Sequence, residues 1–194
     1  YNGLISGRGI RRLRPKDVLG ITNMGGTILG TTNRGNPFKA ATMVRGKLVM
    51  KDISKDLVRN FKKRKFDALI AIGGDGSIGI AYELTKLGMP IVAVPKTIDN
   101  DVPETLASCG FDTAVAIASE ALDRLHSTAA SHDRVMVVEL MGAHSGFIAL
   151  FAGVATEADV ILIPEIPFRW EPIKKKIQSK YKGTDGYAIV VVAE

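Results

Sequence analysis

The chain has 194 residues, of which 46% are apolar and 24% charged, a composition typical of a globular protein with a sizeable buried core. Its formal net charge of +6 favours anionic partners, but its basic groups carry no interleaved aromatic residues, so no nucleic-acid surface is expected. No apolar stretch approaches the roughly 20 residues that span a bilayer, so no membrane association is expected. The single cysteine, Cys109, excludes an intrachain disulfide and fits a reducing compartment.

The first 50 residues are rich in glycine and show no clear periodicity, whereas apolar runs and helical patterns alternate further along. The predicted strands cover residues 68–72, 91–94, 135–140, 160–163 and 187–193, and the predicted helices cover residues 54–65, 77–87, 111–125, 146–154 and 171–182. This alternation predicts an α/β fold with mostly parallel sheets that helices cover on both faces.

Distinctive polar or glycine residues follow each of the predicted strands. In open α/β sheets, ligands bind beyond the carboxyl ends of the strands. Five strand ends of this kind favour a binding site over five independent turns, and they are residues 73–77, 96–101, 141–146, 164–165 and 194.

The first of these loops is Gly73-Gly74-Asp75-Gly76-Ser77. Its glycines allow the backbone to approach a ligand, and the N-terminus of the following helix attracts anions. Asp75 would repel a bare phosphate, so its presence favours a bound Mg²⁺. The alternative is an ordinary glycine-rich turn with an aspartate near the helix N-cap.

The second loop follows Pro95, which is expected to end its strand. Thr97 offers a hydroxyl, and Asp99 and Asp101 offer carboxylates on one side if the loop is extended. Either carboxylate is a candidate general base for an attacking hydroxyl. The alternative is an Asx-rich turn.

Other polar residues do not form a recognisable catalytic pattern. His126, His132 and His144 lack metal-ligand spacing, and we interpret them as ordinary polar loop residues. Ser145 resembles part of a nucleophile elbow, but the full Gly-x-Ser-x-Gly motif is absent, which argues against a hydrolase.

The order and spacing of these motifs resemble 6-phosphofructokinases over nearly the whole chain. The glycine loop alone also occurs in NAD kinases and diacylglycerol kinases, but the Thr-Ile-Asp-Asn-Asp motif beside it points to phosphofructokinases. Residues 25–30 resemble that family's nucleotide loop. The other segments that carry the resemblance are residues 73–77, 95–101, 131–134 (Ser-His-Asp-Arg), 141–142 and 164–165, and Glu194.

The resemblance implies transfer of the γ-phosphoryl group of Mg-ATP to the 1-hydroxyl of fructose 6-phosphate, a glycolytic reaction of the cytoplasm. Asp99 would take the proton from that hydroxyl, with Thr97 as a further catalytic residue and Asp75 as the Mg²⁺ ligand. The implied nucleotide-binding residues are Gly74, Asp75, Gly76, Ser77 and Lys96, and the implied substrate-binding residues are Thr97, Asp99, Asp101, Arg134, Met141, Gly142 and Glu194.

The family also implies two Rossmann-like lobes with the active site between them, residues 1–110 for the nucleotide and residues 111–194 for the sugar phosphate. Arg134 would hold the 6-phosphate in a neighbouring subunit, so a homodimer or homotetramer with shared sites is implied. The family's first strand and first phosphate loop would precede Tyr1, and further sugar-phosphate ligands would follow Glu194. The 194 residues alone are therefore expected to be inactive.

Two departures leave alternatives open. Ala143 replaces the arginine that usually follows Met-Gly, which raises the alternative of a non-catalytic phosphosugar-binding homologue or subunit. Lys96 stands where pyrophosphate-dependent enzymes of the family also have lysine. Gly76, by contrast, favours ATP, because a side chain there would block the region of the nucleotide's α-phosphate. The pair resembles the plant and trypanosomatid ATP-dependent branch, with a pyrophosphate-dependent enzyme as the close alternative.

Overall fold

A computed structural model describes residues 1–32, 35–44, 46–183 and 186–194. The helices are α1 (Asn2–Ser6), α2 (Ser54–Lys63), α3 (Asp75–Lys86), α4 (Phe111–Ser131), α5 (Phe147–Ala155) and α6 (Trp170–Lys182). The strands are β1 (Ala40–Val44), β2 (Lys47–Lys51), β3 (Leu69–Gly73), β4 (Ile91–Thr97), β5 (Cys109–Gly110), β6 (Val135–Leu140), β7 (Val160–Leu162) and β8 (Ala188–Ala193).

The strands of the described residues form three sheets. β1 and β2 pair as an antiparallel hairpin, a second sheet has the order β3-β4-β5, and a third has the order β6-β8-β7. β4 pairs with β5 in parallel, and β8 pairs in parallel with both β6 and β7. The predicted α/β class with parallel sheets is therefore confirmed.

The chain folds into two compact units, one formed by Tyr1–Ala71 with Gly79–Ala93 and the other by Ile72–Ile78 with Val94–Glu194. The core of the first unit contains Leu4, Leu57, Val58, Phe61, Leu84 and Met89. In the second unit, α4 and α5 pack against β6 and β8 around Phe111, Leu122, Ile148, Ile189 and Val191. The division of ligands between residues 1–110 and residues 111–194 stays a prediction.

The expected coverage of the sheets on both faces is wrong for three strands. In β6 the burial alternates, and Val137 is 67% exposed. In β3, Ile70 is 65% exposed, and in β4, Val92 is 63% exposed. β8, by contrast, is buried over its first four residues, because it lies between two neighbouring strands and beneath helices.

Pro95 does not end its strand, contrary to the sequence prediction, because β4 continues to Thr97. β5 contacts only the last two residues of β4, Lys96 and Thr97. Pro95 precedes that contact, so on this side its missing N–H removes no ladder hydrogen bond to β5. Although β4 is the middle strand of its sheet, a proline is tolerated where no neighbouring strand needs its N–H. Lys96 and Thr97 are consequently strand residues with restricted backbone positions.

Candidate functional site

The glycine loop is a tight connection between β3 and α3. α3 begins at Asp75, two residues earlier than predicted, and the amides of Ser77 and Ile78 both donate to the carbonyl oxygen of Gly74 at 3.0 Å. A Cβ at Gly73 would lie 2.6 Å from the Cβ of Ser77, so only glycine fits there. The carboxylate of Asp75 is exposed in the first helical turn.

The glycine loop lies against the loop that carries the two aspartates. A Cβ at Gly74 would be 3.3 Å from the Cβ of Thr97 and 3.9 Å from the carbonyl oxygen of Lys96. Both segments belong to the second compact unit. The structure thus brings together the two motifs that the sequence analysis identified separately.

Thr97 and Asp99 form a closed pair of hydrogen bonds. The hydroxyl of Thr97 donates to Oδ2 of Asp99 at 3.0 Å and accepts from the Asp99 amide at 3.2 Å. Both residues are half-buried. The carboxylate of Asp99 is therefore oriented by its own loop before any ligand binds.

The loop is not extended after Asp99, so the condition under which the Asp99 and Asp101 carboxylates would share one side is not met. Asn100 has a φ of 55°, a left-handed conformation that asparagine adopts more readily than most residues. Its Oδ1 accepts a hydrogen bond from the amide of Ser108 at 2.9 Å. Asp101 is exposed beyond this bend.

A second group of predicted residues meets at the carboxyl ends of β6 and β8. The amide of Glu194 donates to the carbonyl oxygen of Leu140 at 2.9 Å. An open depression of about 310 Å³ here is lined by Glu139, Leu140, Met141 and Glu194. A larger depression of about 500 Å³ at the start of α6 contains none of the predicted site residues, so we assign no ligand to it.

The turn after β6 is shaped by Gly142. This residue has a φ of 153°, and a Cβ there would collide with the carbonyl oxygen of Ser145, so the turn requires glycine. Nearby, the amide of Gly146 donates to Oε1 of Glu165 at 2.8 Å. Glu165 of the Pro164-Glu165 motif therefore anchors the start of α5.

Arg134 is not brought to this group within one chain. It is exposed and directly precedes β6, whereas Met141 follows the same strand. Six strand residues at about 3.3 Å each separate these ends by about 20 Å. Residues 25–30, which resemble a nucleotide loop, belong to the first compact unit and form no helix or strand.

The histidine interpretation needs one correction. His126 is not a loop residue, because it lies within α4, where its Nε2 is 2.8 Å from the carbonyl oxygen of Thr156. His132 and His144 lie outside the helices and strands. No group of three or more His, Cys, Asp or Glu side chains suited to a metal occurs in the described ranges.

Two buried serines lie near the aspartate loop. The sequence indicates no role for Ser108 and suggests for Ser145 only that of a nucleophile. The hydroxyl of Ser145 donates to the carbonyl oxygen of Asp99 at 2.7 Å, and that of Ser108 donates to the carbonyl oxygen of Thr97 at 2.9 Å. The sequence alone does not show whether a serine hydroxyl makes such a contact or faces solvent.

Comparison with known proteins identifies the class to which this fold and site belong. A family model described as phosphofructokinase matches residues 1–194, so the chain belongs to the phosphofructokinase family.

Among the helices that the structure describes, none has the length and apolar character needed to cross a bilayer.

Individual relatives agree with this membership. The chain is 47% identical over 196 residues to the ATP-dependent 6-phosphofructokinase of Chloroflexus aurantiacus, a match that covers 100% of this chain and 54% of the relative. It is 51% identical over 172 residues to ATP-dependent 6-phosphofructokinase 1 of Synechocystis sp., covering 88% of this chain and 47% of the relative. The chain thus spans about half the length of these curated relatives.

A solved structure confirms the fold. The chain superimposes on Pichia pastoris phosphofructokinase in the T-state with a TM-score of 0.81 at 30% sequence identity, covering 100% of this chain and 22% of that chain.

Proposed function

We propose that the full-length protein transfers the γ-phosphoryl group of Mg-ATP to the 1-hydroxyl of fructose 6-phosphate in glycolysis, in the cytoplasm. The observation that supports the proposal is the close approach of Gly74 to Thr97, because the N-terminus of α3, where anions are attracted, then lies near the oriented carboxylate of Asp99. Relatives named ATP-dependent 6-phosphofructokinase support ATP as the donor.

In the proposed reaction Asp99 is the general base. The hydroxyl of Thr97 occupies Oδ2, so we assign Oδ1 as the proton acceptor. The sugar 1-hydroxyl loses its proton to Asp99 while its oxygen bonds to the γ-phosphorus, and the bond from that phosphorus to the bridging oxygen breaks to release ADP. In such reactions the protein chiefly positions the reactants and stabilises charge.

Gly76 supports a nucleotide donor. Beyond the adjoining backbone of α3, a Cβ at Gly76 would meet no atom within 4 Å, so packing against the rest of the fold does not require glycine there. A ligand that approaches the first turn of α3 closely gives a reason to keep this position free of a side chain.

Asp75 is the residue we propose for Mg²⁺. Magnesium usually keeps several waters and binds one or two carboxylates together with substrate phosphates. A single exposed carboxylate beside the glycine loop fits that donor set, although it could not build a metal site by itself. The ion would neutralise charge on the transferring phosphates.

For the sugar phosphate we propose Met141, Gly142 and Glu194, supported by the depression at the ends of β6 and β8. Arg134 lies at the opposite end of β6, which supports a role for it in the site of a neighbouring copy in a homodimer or homotetramer. A guanidinium suits bidentate binding of a phosphate.

Pyrophosphate is the second candidate donor, favoured by the exposed Lys96 beside Thr97. A non-catalytic sugar-phosphate binder is the remaining alternative, favoured by Ala143, which has a φ of 48° and offers no charge. Turnover of fructose 6-phosphate by the full-length protein, measured with ATP and pyrophosphate side by side, separates the three. We expect turnover with ATP; turnover only with pyrophosphate, or sugar binding without turnover, would contradict the proposal.

A further inference from the structure

We infer that Ser108 and Ser145, two buried serines outside the aspartate motif, are positioning residues that hold the proposed base Asp99 through hydrogen bonds to the main chain of its loop. This inference rests on the proposed function, in which Asp99 accepts the substrate proton.

Ser145 reaches the loop from a segment 46 residues away in the sequence. It is 5% exposed, and its hydroxyl donates to the carbonyl oxygen of Asp99 at 2.7 Å. The carbonyl oxygen of Gly142 lies farther from the same hydroxyl, at 3.3 Å. The hydroxyl has one proton, so the shorter contact with Asp99 takes it.

The position of Ser145 is itself fixed by a tight turn. Its amide donates to the carbonyl oxygen of Gly142 at 2.8 Å, and its carbonyl oxygen fills the space where a Cβ of Gly142 would lie. A rigid support of this kind restricts the position of the Asp99 main chain.

Ser108 holds the same loop at other points. It is 6% exposed, its hydroxyl donates to the carbonyl oxygen of Thr97 at 2.9 Å, and its amide donates to Oδ1 of Asn100 at 2.9 Å. The carbonyl groups of Thr97 and Asp99 thus each accept one buried serine hydroxyl. Thr97 and Asp99 are also the two residues joined by the side-chain hydrogen bond that orients the Asp99 carboxylate.

The serines act through the loop and need no contact with substrate. A displaced main chain would move the carboxylate away from the proton it must accept, and a misplacement of about 1 Å can lower a rate by about 100-fold. Ser145→Ala keeps the Ser145 amide that donates to the carbonyl oxygen of Gly142, a proposed sugar ligand. The expected signature is therefore a fall in kcat with little change in either KM.

Ser145→Ala and Ser108→Ala in the full-length protein test the inference. We expect each substitution to lower kcat by about 10- to 100-fold and to leave KM for ATP and for fructose 6-phosphate nearly unchanged. Thr156→Val is the matched control, because it also removes a buried hydroxyl, one that donates to the carbonyl oxygen of Ala152 at 2.8 Å within its own segment. The control should lower the unfolding temperature to a similar extent and keep kcat.

A double-mutant cycle separates positioning from general weakening of the fold. In an Asp99→Asn background the base is already lost, so adding Ser145→Ala should lower the residual rate little further. An equal loss in both backgrounds, or full kcat in both serine variants of an active wild type, would overturn this inference alone. A wild type without turnover would overturn the proposed function, and this inference with it.

Discussion

The hydroxyl of Thr97 donates a hydrogen bond to Oδ2 of Asp99 at 3.0 Å and accepts one from the Asp99 amide at 3.2 Å. One side chain therefore binds both the carboxylate and the main chain of Asp99. The Cβ of Thr97 also lies close to the glycine loop, 3.3 Å from the position that a Cβ on Gly74 would occupy. Thr97 therefore connects the proposed base with the proposed phosphate loop.

Thr97→Val tests this connection. Valine keeps the shape of the side chain, and with it the packing against Gly74, but removes the hydroxyl. We expect kcat to fall by about 10- to 100-fold, because the carboxylate loses its orientation. Thr97→Ser is the control, since it restores the hydroxyl, and it should recover most of the rate. Equal rates for the valine and serine variants would contradict a role for the hydrogen bond.

Asp99→Asn removes the base and keeps the size of the side chain. A positioned base supplies about 10²- to 10⁴-fold of rate, so kcat should fall by that factor while the affinity for the sugar changes little. Asp112→Asn, an exposed aspartate in the first turn of α4, serves as the control and should keep its activity. Retention of more than about one third of the wild-type rate would exclude Asp99 as the base.

Gly76→Asp should harm the use of ATP much more than the use of pyrophosphate, because the new side chain would enter the space assigned to the nucleotide. Steady-state rates with both donors measure this effect. Gly79→Asp provides the control on the same helix, since a Cβ there also meets no atom within 4 Å beyond the adjoining backbone of α3. An equal loss with both donors would count against the assignment of Gly76.

Arg134→Ala should raise KM for fructose 6-phosphate and leave KM for ATP unchanged, because a guanidinium binds phosphate in a bidentate manner. Mixed oligomers of this variant with Asp99→Asn should regain activity, since one site then combines an intact Arg134 from one copy with an intact Asp99 from the other. Arg124→Ala on the exposed side of α4 is the control. Absence of recovery in mixed oligomers would contradict a shared site.

Asp52 makes stability depend on pH at the start of α2. Hydrogen bonds from the side chain and the amide of Ser54 lower the pKa of Asp52 below its ordinary value of 3.8. A lowered pKa in the folded state means that this stabilisation is present above 3.8 and disappears as the pH falls through the lowered value.

Asp52→Ala should therefore lower the unfolding temperature of the full-length protein at neutral pH, and the difference from the wild type should vanish in strong acid. Asp67→Ala, at an exposed aspartate shortly before β3, controls for the loss of a negative charge. A destabilisation that persists unchanged in acid would show that the hydrogen bonds to Ser54 are not responsible.

The regular part of the fold was predictable from the sequence, because burial of apolar runs is a local signal. The strand predicted at residues 135–140 is β6 itself, and the helix predicted at residues 171–182 corresponds to α6. The hairpin of β1 and β2 was missed because β2 does not alternate: its residues 48–50 are three consecutive apolar residues between two lysines, and all five residues are exposed.

The candidate site divides in the same way. Glycines and carboxylates at strand ends identified the glycine loop and Asp99 from sequence alone, since parallel strands place such ends at one edge. The bend at Asn100 and the hydrogen bond from Ser145 to Asp99 depended on the tertiary structure. A hydroxyl has the same chemistry whether it faces water or a carbonyl group 46 residues away, so only folding determines which serine holds the base.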